Sequence, residues 1–163
     1  MNYHLVNAEL RMHPSGKMND GVGRRTQMHI GVLDHHVAIL EYLQAMLELV
    51  DYTVSQHSAS HSLLEALLPG GIVATPLPYD LGILDLCLPG DLSGAEVYRT
   101  IRRSIPDECL PILFLTASSD HDIQGVLASL PEDILLVRKP FQRHELLSKI
   151  SELLNNPHSS HPP

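Results

Sequence analysis

The sequence has no tryptophan, only two cysteines, and few aromatic side chains, which make up 4% of its 163 residues. Cys87 and Cys109 match no metal-binding spacing, and a disulfide between them is not expected in a reducing compartment. We expect both thiols to be buried or half-buried. No apolar run approaches the roughly 20 residues needed to cross a bilayer, and residues 1–28 lack the layout of a secretory signal. The sequence therefore predicts a cytoplasmic protein with no membrane partner.

Basic residues are also scarce. The chain has 11 lysines and arginines against 19 aspartates and glutamates, for a formal net charge of -8. Phosphate backbones are bound by clustered Lys and Arg side chains, so no nucleic-acid partner is expected.

The length predicts one domain with loose ends. Residues 1–27 show no sustained periodicity and predict a flexible N-terminal arm. Residues 155–163 are polar and proline-rich, which predicts a disordered tail. The intervening residues, 28–154, are expected to form the domain.

Four short apolar runs and the segment 52–56 within this domain predict strands, each followed by apolar residues at helical spacing. The predicted strands are 29–33, 52–56, 81–86, a fourth that Pro111 opens, and 134–137; the predicted helices are 39–50, 60–68, 93–104, 120–130 and 142–154. Ser60, Ser93 and Asp120 are expected to cap the second, third and fourth helices. Strands alternating with helices call for a doubly wound α/β fold, with a five-stranded parallel sheet between five helices.

Four polar residues follow or end the predicted strands: Asp34, Asp85, Thr116 and Lys139. The carboxyl ends of parallel strands lie at the same edge of the sheet, so these side chains are expected to converge there. Two carboxylates suit a divalent cation, and a hydroxyl and an ammonium suit phosphoryl oxygens. The combination predicts a site for a metal ion and a phosphoryl group.

The motifs around these residues resemble those of the response-regulator receiver domains of two-component signalling. They are Leu33-Asp34, Leu84-Asp85-Leu86-Cys87-Leu88-Pro89 with Gly94 beyond, Leu115-Thr116-Ala117, and Lys139-Pro140-Phe141. Each motif is weak alone, but together, in this order and at strand ends, they are strongly specific. The resemblance implies a flavodoxin-like fold with strand order 2-1-3-4-5.

The resemblance also implies a role for each residue. Asp85 is the phosphoacceptor and takes its phosphoryl group from a sensor histidine kinase or a histidine phosphotransfer protein. Lys139 pairs with Asp85, and Thr116 hydrogen-bonds a phosphoryl oxygen. Mg²⁺ is held by Asp34, Asp85 and the backbone carbonyl of Cys87. Such a protein is not an enzyme beyond, at most, phosphorylating and dephosphorylating itself.

Three departures from the family pattern alter these expectations. His35 stands where the family usually has a second acid, so it is a doubtful Mg²⁺ ligand; Mg²⁺ binding is expected to be weak, and Mn²⁺ is an alternative. Leu136 stands where the family usually has Tyr or Phe, so switching through a ring is expected to be altered or absent. The loop between Asp85 and Gly94 is one residue longer than usual.

The expected function is that of a stand-alone receiver that signals through protein contacts. The family commonly makes those contacts with the face of residues 120–130 and 134–154, and Leu153 and Leu154 are candidates for a homodimer contact. The alternative is a pseudo-receiver, a scaffold that accepts no phosphate. A remote alternative is a small phosphatase resembling haloacid dehalogenases, although their second acid is missing after Asp34.

Overall fold

The structure, a computed structural model, describes residues 27–117 and 120–155, without the side chains of residues 120–122. The predicted arm and tail lie outside this part of the chain, except for residues 27 and 155. The strands are β1 (His29–Leu33), β2 (Thr53–His57), β3 (Leu81–Asp85), β4 (Ile112–Thr116) and β5 (Leu135–Arg138). The helices are α1 (Val37–Glu48), α2 (Ser60–Leu67), α3 (Gly94–Arg102), α4 (Asp120–Leu127) and α5 (Arg143–Asn155), with a 3₁₀ turn at Pro69–Gly71.

The five strands form one parallel sheet in the order β2-β1-β3-β4-β5. This confirms the flavodoxin-like fold with five helices. Successive side chains of a strand point to opposite faces of the sheet, so apolar strands build a core on each face. In β4, Ile112 and Phe114 pack in one core, whereas Leu113 and Leu115 pack in the other.

The helices cover both faces. Helices α2, α3 and α4 bury apolar residues such as Leu63, Ile101 and Ile123 in the first core. Helices α1 and α5 bury Leu43 and Ile150 in the second. Because both faces are covered, the carboxyl edge of the sheet is where the strands can present polar side chains.

The predicted helix caps have different outcomes. Ser93 caps α3 as expected, since its hydroxyl accepts the Glu96 N–H while the Glu96 carboxylate accepts the Ser93 N–H. The prediction for Ser60 is wrong, because Ala59 occupies the N-cap of α2 and the Ser60 hydroxyl donates to the Leu92 carbonyl instead. Asp120 is the first residue of α4, and its side chain lies outside the described part.

The two cysteines, both expected to be buried or half-buried, differ in exposure. Cys87 is half-buried as expected, but Cys109 is exposed, because it lies in the turn before β4 rather than on a packed element. Leu153 and Leu154 pack, half-buried, against the core on the α1 and α5 face. In the described ranges no helix has the length and apolar content required to cross a bilayer.

Candidate functional site

Four side chains meet at the carboxyl edge of the sheet. Asp85 and Thr116 are the last residues of β3 and β4, and Asp34 and Lys139 directly follow β1 and β5. Parallel register aligns Leu33 with Leu84 and Asp85 with Leu115, so these strand ends lie side by side. Asp34, Asp85 and Thr116 are buried, at 0%, 1% and 0% exposure.

Lys139 bridges the two carboxylates. Its Nζ lies 2.5 Å from Asp34 Oδ2 and 3.1 Å from Asp85 Oδ2, with its own side chain 10% exposed. Buried carboxylates are costly unless a cation and hydrogen bonds offset the loss of water. The ammonium therefore stabilises two like charges that would otherwise repel each other.

The main chain holds these groups in place. The Cys87 N–H donates to Asp85 Oδ1 at 3.1 Å, and the Lys139 N–H donates to the Thr116 carbonyl at 2.7 Å. The Cys87 thiol lies 3.6 Å from the Thr116 hydroxyl. Residues 85, 87, 116 and 139 thus form one connected group, although the role expected of the Cys87 carbonyl stays a prediction.

Gly94 lets the loop after β3 fold back against the strand. A Cβ atom at this position would lie 2.1 Å from the Asp85 carbonyl oxygen and 2.8 Å from Leu86 Cα. Real Cβ atoms do not approach backbone this closely, so any other residue must displace the chain around Asp85. The start of α3 and the candidate acceptor are therefore coupled through backbone contact.

Two histidines also lie beside the carboxylates. His35 Nδ1 lies 3.2 Å from Asp85 Oδ2 and 3.9 Å from Asp34 Oδ1, and His36 Nδ1 lies 3.4 Å from Asp34 Oδ1. The His36 N–H also donates to Asp34 Oδ1 at 2.8 Å. His36 was not predicted as a site residue. Its position two residues after Asp34 and directly before α1 could have indicated it.

The donor set only partly suits Mg²⁺. Asp34 and Asp85 supply the hard carboxylate oxygens that this ion prefers. The remaining donors near them are imidazole nitrogens, which favour transition metals. The two carboxylates could hold Mg²⁺ together with water ligands. The site carries less negative charge than one with two adjacent acids after β1 would.

A buried histidine whose backbone contacts Asp34 was also not predicted from the sequence. His57 ends β2, and its carbonyl accepts the Asp34 N–H at 3.1 Å. Its ring nitrogens lie 2.7 Å from the hydroxyls of Ser62 and Tyr79. Burial lowers the pKa of His57 below its ordinary value of 6.5, and His29 nearby lowers it further. The ring is therefore a neutral, hydrogen-bonded part of the scaffold that supports Asp34.

A family model described as "Response regulator receiver domain" matches residues 30–151. The chain belongs to this family. Receiver domains are in general signalling phosphoacceptors that work in two-component systems with histidine kinases or phosphotransfer proteins, and they bind Mg²⁺ at an acidic pocket. They are not enzymes in the ordinary sense.

Similar proteins agree with this assignment. The transcriptional regulatory protein GltR of Pseudomonas aeruginosa is 43% identical over 74 residues, covering 45% of this chain and 30% of GltR. The response regulator SaeR of Staphylococcus aureus is 27% identical over 127 residues, covering 77% of this chain and 50% of SaeR. The receiver matched here thus spans half or less of the length of these relatives.

Solved structures share the fold. The signal receiver domain of an HD domain-containing protein from Pseudomonas fluorescens Pf-5 superposes with a TM-score of 0.67 at 23% identity, covering 82% of this chain and 99% of that domain. A response regulator receiver protein from Sinorhizobium medicae gives a TM-score of 0.66 at 20% identity, covering 81% of this chain and 98% of that one.

Proposed function

We propose that this receiver accepts a phosphoryl group on Asp85 from the phosphohistidine of a sensor histidine kinase or a histidine phosphotransfer protein in the cytoplasm. The observation that carries the proposal is the Lys139 ammonium, which contacts the buried carboxylates of both Asp34 and Asp85. An acceptor of phosphoryl groups needs positive charge near its nucleophile, because negative charge builds up on the phosphoryl oxygens during transfer.

In the proposed transfer, a carboxylate oxygen of Asp85 forms a bond to phosphorus as the phosphorus–nitrogen bond of the donor breaks. The electron pair returns to the imidazole nitrogen, which takes up a proton and leaves as neutral histidine. Asp85 becomes an acyl phosphate. Lys139 then moves its contact from the carboxylate to the phosphoryl group, and the Thr116 hydroxyl donates to another phosphoryl oxygen.

A divalent cation, Mg²⁺ or Mn²⁺, would be held by Asp34, Asp85 and the carbonyl of Cys87, and it would neutralise charge on the phosphoryl oxygens. We propose that Thr116 carries the event to the surface by drawing its loop toward the phosphoryl group. The proposed output surface is the face of α4, β5 and α5. Leu136 in this face is half-buried and packs against the core, so the switch operates here without an aromatic ring.

One observation favours the pseudo-receiver as a second candidate. His35 Nδ1 lies 3.2 Å from Asp85 Oδ2, in the place where the family usually has an acid. With an imidazole in place of a carboxylate, the metal site has one negative charge fewer. If the cation cannot bind, transfer to Asp85 fails and the domain acts as a constitutive scaffold.

Intact-mass spectrometry after incubation with acetyl phosphate tests the proposal. With Mg²⁺ or Mn²⁺ present, the wild-type chain is expected to gain one phosphoryl group and Asp85→Ala none. Asp107→Ala is the matched control, because Asp107 is an exposed aspartate paired with Arg102 away from the site. No mass gain in the wild-type chain with either ion would instead support the pseudo-receiver.

A further inference from the structure

We infer that Asp34, His35, His36 and Asp85 form a binding site for a transition-metal ion of the Zn²⁺ class, which includes Co²⁺ and Ni²⁺, and that the site prefers such an ion to Mg²⁺. One ligand atom from each of the four residues lies within 4.8 Å of all the others. Two imidazoles with two carboxylates are a donor set for Zn²⁺-class ions, whereas Mg²⁺ is held by oxygen ligands.

The spacing of the donor atoms fits a four-coordinate ion. Ligands bound about 2.1 Å from a tetrahedral Zn²⁺ lie about 3.4 Å apart, whereas adjacent ligands of octahedral Mg²⁺ lie about 2.9 Å apart. Three of the six donor separations are 3.2 Å from His35 to Asp85, 3.4 Å from His36 to Asp34 and 3.9 Å from His35 to Asp34, and the other three are within 4.8 Å. None of the first three is as short as the spacing of octahedral Mg²⁺ ligands, and their mean is close to the tetrahedral value.

One of the four donor atoms makes no hydrogen bond within the described residues. His35 Nδ1 is buried and has no hydrogen-bond partner among the described residues. Although it lies 3.2 Å from Asp85 Oδ2, that contact does not have hydrogen-bond geometry. A buried ring nitrogen without a partner is costly, and coordination of a metal ion would satisfy it.

Lys139 leaves part of the site accessible to the ion. Its ammonium contacts Asp34 Oδ2, while both imidazoles face Asp34 Oδ1. Only Asp85 Oδ2 is shared between Lys139 and His35. A bound ion would therefore compete with Lys139 for Asp85 alone, and the Asp34–Lys139 pair would remain.

The test is a Co²⁺ titration of the untagged, metal-stripped full chain, followed by visible absorption, because tetrahedral Co²⁺ absorbs strongly. We expect one bound Co²⁺, displaced by one equivalent of Zn²⁺ but not by a large excess of Mg²⁺. His35→Asn and His36→Asn are each expected to weaken binding by at least about tenfold. His36 is 59% exposed, so its replacement should leave the fold intact.

The matched control is His144→Asn, which replaces an exposed histidine in α5 and should leave Co²⁺ binding unchanged. Equal Co²⁺ affinity in the wild type and both site variants would overturn the inference, since the ion would then sit on other histidines. Displacement of Co²⁺ by equimolar Mg²⁺ would overturn it as well. The inference shares its site with the proposed function, but the titration contains no phosphoryl donor, so the two can fail separately.

Discussion

At the scale of single residues, Lys139 holds together two carboxylates that the fold buries. Its ammonium lies within 3.1 Å of both, and the carboxylates are at most 2% exposed. Removing one partner of a buried ion pair costs more than the pair contributes, because the remaining charge is left without compensation. The stability of the domain should therefore depend on the balance of charge in the site.

Lys139→Met is expected to lower the free energy of unfolding by about 3 kcal/mol, because it leaves two buried carboxylates side by side. Adding Asp34→Asn should restore part of this loss by removing one of the unpaired charges. Urea unfolding of the single and double variants measures both effects. A double variant as unstable as Lys139→Met alone would show that charge is not the cause.

The lowered pKa of His57 predicts that the free energy of unfolding depends on pH. Its pKa is lowered in the folded protein by burial and by His29, so the unfolded chain takes up a proton more readily. The contribution of His57 to stability is therefore complete above its unfolded pKa of about 6.5 and decreases as the pH falls from there toward the lower folded pKa.

Urea unfolding between about pH 7.5 and about pH 5 is expected to show this decrease in the wild-type chain. His57→Gln should flatten the profile, because the variant has no ring to protonate. His144→Gln, at an exposed position in α5, should retain the wild-type slope. Parallel profiles for the wild type and His57→Gln would contradict the assignment of the effect to His57.

At the scale of elements, β1, β3, β4 and β5 could be located from the sequence because each is a short, mostly apolar run. The segment that forms β2 is largely polar and only partly buried. β1 and the four other strands appear where predicted, within a residue or two at each end. Helix ends were harder to predict. Ser60 is not a cap because α2 begins at Ser60 itself, so the extended Ala59 holds the N-cap position, and the Ser60 hydroxyl donates to the distant Leu92 carbonyl.

In the loop between β3 and α3, the close approach of Gly94 to the backbone of Asp85 should make a larger residue at position 94 destabilising. Gly94→Ala would place a Cβ atom against the Asp85 carbonyl, so the backbone around Asp85 must shift. We expect a loss of stability of about 1–3 kcal/mol, together with slower phosphorylation of Asp85 by acetyl phosphate. Thermal unfolding and intact-mass time courses measure the two effects.

Gly125→Ala is the matched control, because Gly125 lies in α4 and a Cβ atom there would meet nothing within 4 Å apart from its chain neighbours and the backbone of its own helix. Alanine favours helix over glycine, so this variant should be as stable as the wild type or slightly more stable. A Gly94→Ala protein with wild-type stability and wild-type phosphorylation would show that the close approach is easily relieved.

At the scale of the whole molecule, the parallel sheet explains why residues 34, 85, 116 and 139 could be grouped from sequence. Each ends or follows an apolar run, and parallel topology brings such positions to one edge. His57 also ends a strand, but β2 is largely polar, so the pattern of an apolar run followed by a polar residue did not select it. The position of the His36 ring depends on side-chain direction at the start of α1, and the hydrogen bonds of the His57 ring depend on contacts with α2 and the loop before β3.

Borohydride reduction followed by peptide mass mapping shows directly whether Asp85 carries the phosphoryl group. Borohydride converts an aspartyl phosphate to homoserine, so the modified peptide identifies the acceptor. After treatment of the wild-type chain with acetyl phosphate and a divalent ion, we expect homoserine at position 85 and aspartate at position 34. Homoserine at position 34, or an unaltered Asp85 in every peptide, would contradict it.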